Sequence, residues 1–183
     1  MGELQNYVKI RLLALLDEVR RREIGKHLEQ LTVFEKTLVY KYTLDGYEDL
    51  KEKLREGKAM EFEDHLNATL SKLPDYKNIV YRGTALAKHV IERYKRACEL
   101  HETLIESGFV SASKSRSVAE MFSRGSVLFR IISKTGKAIE ELSFHGTQNP
   151  QNEQEVLFRS KTRFKVLGVK EENSKFFITL EET

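Results

Sequence analysis

The spacing of apolar residues along the chain changes character near residue 75. Before that point it follows the period of a helix. Leu4, Val8, Leu12, Leu15 and Leu16 predict a helical stretch over residues 3–30. Arg20, Arg21 and Arg22 follow on its polar face and read as a solvated helix end rather than a substrate-contact patch. Val33, Phe34, Leu38, Val39 and Tyr42 predict a second amphipathic helix over 32–44, which the run from Thr43 through Gly46 to Tyr47 is expected to break. A helix from about Tyr47 to Arg55 follows. Another, from Met60 to Leu73, keeps Phe62, Leu66, Leu70 and Leu73 in step until Pro74 and Asp75 end it.

Beyond residue 75 the pattern shortens toward strands. Ile79, Val80 and Tyr81 form a β-rich run that stops at Arg82 and Gly83. Leu86, Val90, Ile91, Tyr94 and Ala97 mark one more helix over 85–98, and Gly108 to Ser113 reads as a turn leading into a strand. Ser117 and Glu120 have capping-box spacing at the start of a short helix, with Met121 and Phe122 expected to face inward. Strands are predicted at 127–132, 139–142, 155–158, 162–169 and 176–180. Helices first and strands second is the order of an α+β fold, not of a doubly wound parallel sheet. The division that follows is a helical extension over 1–30 and a main domain over 31–183. Within the latter, 31–76 form a helical lobe and 77–183 a β-rich core. No repeat, low-complexity tract or Pro-Ser-Gly linker interrupts it.

Composition narrows the function classes. Apolar residues make up 40% of the 183 positions, enough for a core, and charged residues make up 32%. A net charge of +3 is too small to point to nucleic acid or a membrane surface. One cysteine, Cys98, excludes an internal disulfide framework, and its place in a helical pattern reads as a packed thiol. The first residues lack the basic-then-apolar order of a secretory signal, and Leu12–Leu16 is too short to span a bilayer. Asn6 does not fit a myristoylation signal after Met1-Gly2. No Cys/His cluster suggests zinc, and neither a Walker loop nor a G-x-G-x-x-G turn appears.

Candidate chemistry lies in three short segments. Arg82 ends a strand beside Gly83; such an arginine can grip a diphosphate with two N–H groups while glycine permits close backbone approach. Ser111 and Ser113 share one face of a strand, where their hydroxyls can hold a neighbouring carboxylate; no nucleophile elbow accompanies them. Glu153 and Glu155 enter the apolar run Val156-Leu157-Phe158 after the turn-rich stretch 144–151, and strand alternation would point both carboxylates the same way. Taken singly, the arginine reads as a surface residue, the serines as small strand residues and the glutamates as a solvated strand edge.

Taken in order, Tyr81-Arg82, Phe109-x-Ser111-Ala112-Ser113 and Glu153-x-Glu155-Val156-Leu157 resemble the arginine–serine–glutamate class of mono-ADP-ribosyltransferases. The resemblance covers roughly residues 30–183 and includes Thr162–Val166 and, upstream, Tyr42-Thr43 and Gly46-Tyr47. Ala112 departs from the family's usual threonine, while both serines remain. The resemblance implies a helical N-terminal lobe packed on a mixed, mainly antiparallel β-sandwich core. It also implies NAD as substrate, no metal, and transfer of ADP-ribose to a protein side chain. On that resemblance Glu155 stabilises the sugar cation, Arg82 holds the diphosphate and the Gly83 backbone meets the nicotinamide amide. Ser111 and Ser113 position the site, and Phe122 either packs on the dinucleotide or belongs to the core. Glu153, in the position that selects the acceptor, implies arginine. Phe144 and His145, in the loop before it, are candidates for target contact. An NAD glycohydrolase and a non-catalytic binding module of the same fold are the alternatives. The resemblance further implies a toxin or effector exported by a non-Sec route to act in a target-cell cytoplasm, or else a cytoplasmic enzyme. No nucleic-acid partner and no transmembrane segment are expected.

Overall fold

The computed structural model describes residues 2–54 and 59–183, by backbone alone at 45–54, 59 and 60. Among these are six helices and eight strands, grouped in two compact units. One comprises residues 1–74 and 139–152 and is helical; the other comprises 75–138 and 153–183 and contains the sheet.

In the helical unit, α1 (Glu3–Arg11) and α2 (Leu13–Arg21) replace the single helix expected over 3–30. Leu12, at φ −130° and ψ 25°, breaks them apart, and the chain turns after α2. Val8, Leu16 and Val19 are buried with Leu38, Val39, Leu66 and Leu70 of α3 (Val33–Leu54) and α4 (Ala59–Ser71). Helix α3 runs through Gly46, where a break was expected; the cost of one interior glycine, about 1 kcal/mol, does not stop a long helix. Arg55, expected to close a separate helix, lies outside the described residues. The N-terminus of α3 is a capping box that the spacing Thr32-x-x-Glu35 announces. The Thr32 N–H donates to Glu35 Oε2 at 2.8 Å, and the Glu35 N–H donates to Thr32 Oγ1 at 3.3 Å.

Arg22 is not a solvated helix end. Its Nη1 donates to Glu18 Oε1 at 3.0 Å and to the Tyr40 hydroxyl at 2.7 Å. That hydroxyl in turn donates to Glu18 at 2.6 Å. Burial and the adjacent Glu18 carboxylate push Tyr40 up to about 12. The strand expected at 139–142 is instead a turn: the Leu142 N–H donates to the Ile139 carbonyl, and both side chains are fully buried. Apolar residues three apart suit a turn as well as a strand, and Gly146 tightens it, since a Cβ there would sit 1.8 Å from the Glu140 carbonyl oxygen.

The sheet unit contains β1 (Ile79–Thr84), β2 (Thr103–Ile105), β3 (Val110–Ser113), β4 (Val127–Ile132), β5 (Lys137–Ala138), β6 (Glu155–Phe158), β7 (Arg163–Glu172) and β8 (Lys175–Glu182). Their order is β2-β7-β8-β4-β1-β3-β6-β5, and β4 with β8 is the parallel pair among antiparallel ones. The sheet is pinched in the middle, because β1 joins β3 through one pair, Tyr81 with Ser113. The halves on either side of the pinch share one core, in which the Phe158 and Phe164 rings meet edge-on with centroids 5.3 Å apart. This is how one continuous ladder makes a sandwich. Helix α5 (Lys88–Glu99) adds Ile91, Tyr94 and Ala97 to that core, and Tyr94 packs on Phe129 at 5.2 Å.

Helix α6 (Arg116–Phe122) is capped by Ser115, whose Oγ accepts from the Val118 N–H; Ser117, expected as the cap, lies inside the helix and its hydroxyl bonds that of Ser115. Met121 and Phe122 point outward, 79% and 52% exposed, against the expectation that they pack inward. Only small residues fit beneath this short helix. Ala119 is buried, and a Cβ on Gly83 of β1 would lie 1.7 Å from its carbonyl oxygen.

Candidate active site

Three strands meeting at the pinch supply the arginine, the serines and the second glutamate. Because the ladder between β1 and β3 is a single pair, the backbone of β3 beyond it has room for a side-chain donor. Arg82 fills that role: its Nη1 donates to the Ser111 carbonyl at 2.6 Å. On the other side, β3 and β6 pair continuously, with Ser113 opposite Glu155 and Ser111 opposite Leu157. Ser111 and Glu155 are thus diagonal neighbours on one face, and the Ser111 hydroxyl donates to Glu155 Oε1 at 2.6 Å. One serine therefore links the guanidinium on β1 to the carboxylate on β6, using its carbonyl for the first and its hydroxyl for the second. Glu155 is the first residue of β6 and is 6% exposed. A carboxylate so withdrawn from water is expensive unless hydrogen-bonded, and the serine supplies a bond.

Glu153 is placed differently. It lies before β6, half-buried, and Gln154 between the two glutamates has a left-handed backbone at φ +49°. The alternation that would point Glu153 and Glu155 the same way holds only inside a strand, so it does not apply here. The turn is fastened to the end of β3. The Ser113 hydroxyl donates to the Glu153 carbonyl at 2.7 Å, and the Lys114 N–H donates to the Gln154 carbonyl at 3.0 Å. Ser113 Oγ also accepts from the Ser115 N–H at 3.0 Å. Of the two serines, Ser111 holds a carboxylate and Ser113 a main chain. Sequence reasoning overlooked Lys114 and Gln154, which contribute an amide and a backbone angle, features that residue type does not announce.

Gly83 and Phe122 belong to the sheet unit, Phe144 and His145 to the helical one. Gly83 serves the packing of α6 on β1 as described, and Phe122 stands exposed on that helix. Phe144 meets Tyr40 edge-on at 5.9 Å and His145 meets Phe144 at 4.9 Å. A cavity of about 320 Å³ also lies in the helical unit, lined by Arg22, Lys26, His27, Glu141 and Gln148 among others, and includes none of the linked residues. Among the described residues, no group of three or more His, Cys, Asp and Glu side chains is disposed to hold a metal ion.

A fixed carboxylate can stabilise positive charge that develops on a sugar as its glycosidic bond breaks, and a guanidinium nearby can hold phosphate oxygens. A second glutamate on the adjoining turn can orient or deprotonate an incoming nucleophile. Comparison with known proteins agrees with this chemistry. Residues 36–183 match the family described as ART: NAD:arginine ADP-ribosyltransferase. The putative NAD(+)--arginine ADP-ribosyltransferase Mav of Mycobacterium avium is 35% identical over 133 residues, 69% of this chain and 15% of that protein. The NAD(+)--protein-arginine ADP-ribosyltransferase Tre1 of Serratia proteamaculans is 33% identical over 141 residues, 74% of this chain and 29% of that protein. The chain thus spans less than a third of either relative. Among solved structures, the ADP-ribosyltransferase Vis of Vibrio splendidus, in complex with agmatine, superposes with a TM-score of 0.71 at 24% identity. That alignment covers 93% of this chain and 83% of the other. By sequence and by fold, the chain belongs to the NAD:arginine ADP-ribosyltransferase family.

Proposed function

We propose that the chain transfers ADP-ribose from NAD to an arginine of a target protein, with release of nicotinamide. The observation that carries this reading is the line from Arg82 through Ser111 to Glu155, with Glu153 on the turn beside it. Arg82 holds the diphosphate of NAD and Glu155 faces the nicotinamide ribose. When the glycosidic bond breaks, its electron pair neutralises the pyridinium nitrogen and nicotinamide leaves. The ribose is left as an oxocarbenium-like cation that the Glu155 carboxylate stabilises. A nitrogen of the acceptor guanidinium attacks the anomeric carbon and gives up a proton, for which Glu153 is the base. An ordinary arginine keeps its proton in water, so this second carboxylate is what suits the site to arginine. The Vis complex with agmatine supports the same acceptor chemistry, since agmatine presents a guanidinium.

In this reading residues 31–183 are the catalytic domain and 1–30 a helical extension. Gly83 offers its backbone to the nicotinamide amide, Ser113 holds the turn, and Phe122 packs on the dinucleotide from its exposed position. Phe144 and His145 contact the target protein. The chain acts as a toxin or effector module reaching its target by a non-Sec route; likeness to Vis, described as a toxin, supports this. No helix among the described residues is long and apolar enough to cross a membrane.

The test is to incubate wild type and Glu155→Ala with labelled NAD and a crude cell lysate. Label on discrete proteins, released by conditions selective for arginine linkages and missing with the variant, is the expected result. Nicotinamide release without labelled protein would favour an NAD glycohydrolase. No NAD turnover would leave a binding module.

A further inference from the structure

The turn before β6 carries a conformation that ordinary residues avoid. Gln154, neither glycine nor asparagine, has φ +49°, and it separates the two glutamates of the site. A left-handed residue costs free energy unless its surroundings impose it, and such residues gather at functional sites. Here the surroundings are visible. The Glu153 carbonyl accepts from Ser113 Oγ at 2.7 Å and the Gln154 carbonyl accepts from the Lys114 N–H at 3.0 Å. Both donors come from the end of β3, the strand that also holds Glu155 through Ser111. The carbonyls on either side of the left-handed residue are thus fixed to the frame that fixes Glu155. An extended Gln154 would instead continue β6 backward and turn Glu153 along the strand.

We propose that Gln154 is a positioning residue, whose left-handed backbone sets the direction of Glu153 relative to Glu155 and so couples NAD cleavage to transfer onto arginine. The inference rests on the transferase reading above. Glu155, rooted in β6, serves bond cleavage whichever way Glu153 points. Glu153 meets the acceptor only when the turn is left-handed. The property assigned to Gln154 resides in its backbone, so side chains that tolerate positive φ should replace it and β-branched ones should not.

The experiment compares wild type with Gln154→Gly, Gln154→Asn and Gln154→Val. It measures ADP-ribosylation of agmatine and hydrolysis of NAD in the same samples, with KM for each substrate. Glycine and asparagine should keep the wild-type ratio of transfer to hydrolysis. Valine should lower that ratio by about ten- to a hundredfold, the rate equivalent of the strain at one residue forced into a disfavoured backbone region. KM for NAD should stay near wild type in all three variants, while KM for agmatine rises or kcat for transfer falls in the valine variant. A structural role alone would lower both activities together. The inference is overturned if valine keeps the wild-type ratio, if both activities fall together, or if glycine and asparagine do no better than valine. A wild type that neither hydrolyses NAD nor modifies agmatine overturns the transferase reading and this inference with it. An active wild type with an unchanged ratio in the valine variant overturns this inference alone.

Discussion

The start of β6 and the turn that feeds it hold their glutamates by different atoms. Glu155 stands in the strand, nearly out of solvent, and its carboxylate accepts from Ser111. Glu153 stands in the turn, half-buried, and its carbonyl accepts from Ser113. Holding a carboxylate by its own oxygen fixes where charge is presented. Holding a residue by its main chain fixes where the side chain begins. Under the proposed reaction the first arrangement suits a transition state that recurs unchanged each turnover, and the second sets the place from which the other glutamate reaches the acceptor.

The largest test of that contrast is Glu155→Ala. If Glu155 stabilises the cation common to transfer and hydrolysis, both should fall by about a thousandfold, the upper range for one preorganised electrostatic partner. Next comes Glu153→Ala, which should lower transfer to agmatine by about a hundredfold while most NAD hydrolysis survives. Both are read from nicotinamide release and labelled acceptor in one assay. Equal loss of the two activities in Glu153→Ala would break the division of labour between strand and turn. Ser111→Ala sharpens it on a smaller scale. The substitution deletes the hydroxyl that holds Glu155 but keeps the carbonyl that Arg82 uses. Both activities should drop about tenfold in kcat, the worth of one hydrogen bond to a charged group. KM for NAD should change little, because the guanidinium keeps its anchor.

What could be read from the sequence follows the same line between side chain and main chain. Arg82, Ser111 and Glu155 were picked out by the order of their motifs on strands that apolar runs announce, and the bond expected from a strand serine to a neighbouring carboxylate is the one between Ser111 and Glu155. The packing of Ala119 against Gly83 was not legible, since nothing in the sequence tells that a helix lies against this glycine. Met121 and Phe122 were misplaced for a related reason. In a helix as short as α6, the small Ala119 faces the sheet, and the larger residues are displaced to the surface. Alternation does not reach Glu153, because β6 begins at Glu155 and Gln154 before it is left-handed, and glutamine gives no sign of that. In the helical unit, Ile139 and Leu142 carried an apolar signal without a strand. Arg22 was hidden among neighbouring arginines, although Glu18 one turn before it was a visible partner.

A third carboxylate, in the helical unit, gives the comparison a reference. Glu35 is as withdrawn from solvent as Glu155, both being 6% exposed, yet it sits in the capping box of α3 and its partner is a cation, Lys72, at 2.6 Å. Burial alone would raise its carboxyl; the Lys72 hydrogen bond and the Thr32 donors outweigh that and hold it below the ordinary value of 4.5. A carboxyl whose folded value is depressed stabilises the fold fully above its unfolded value. That contribution fades as pH falls through the folded value. Glu35→Gln keeps an acceptor for the Thr32 N–H and removes the charge. At neutral pH it should cost about 1 kcal/mol, a figure kept small by the half-exposed Lys72, and it should leave both activities unchanged. The Tm difference from wild type should be constant above about pH 5 and shrink as the pH is lowered through 4.5 and below, as wild-type Glu35 takes up its proton. A difference that did not shrink at all as the pH fell below 4.5 would assign the effect to packing rather than charge. A loss of transferase activity in this variant would mean that a buried carboxylate in the helical unit matters to the chemistry, and that the contrast between strand and turn is too narrow.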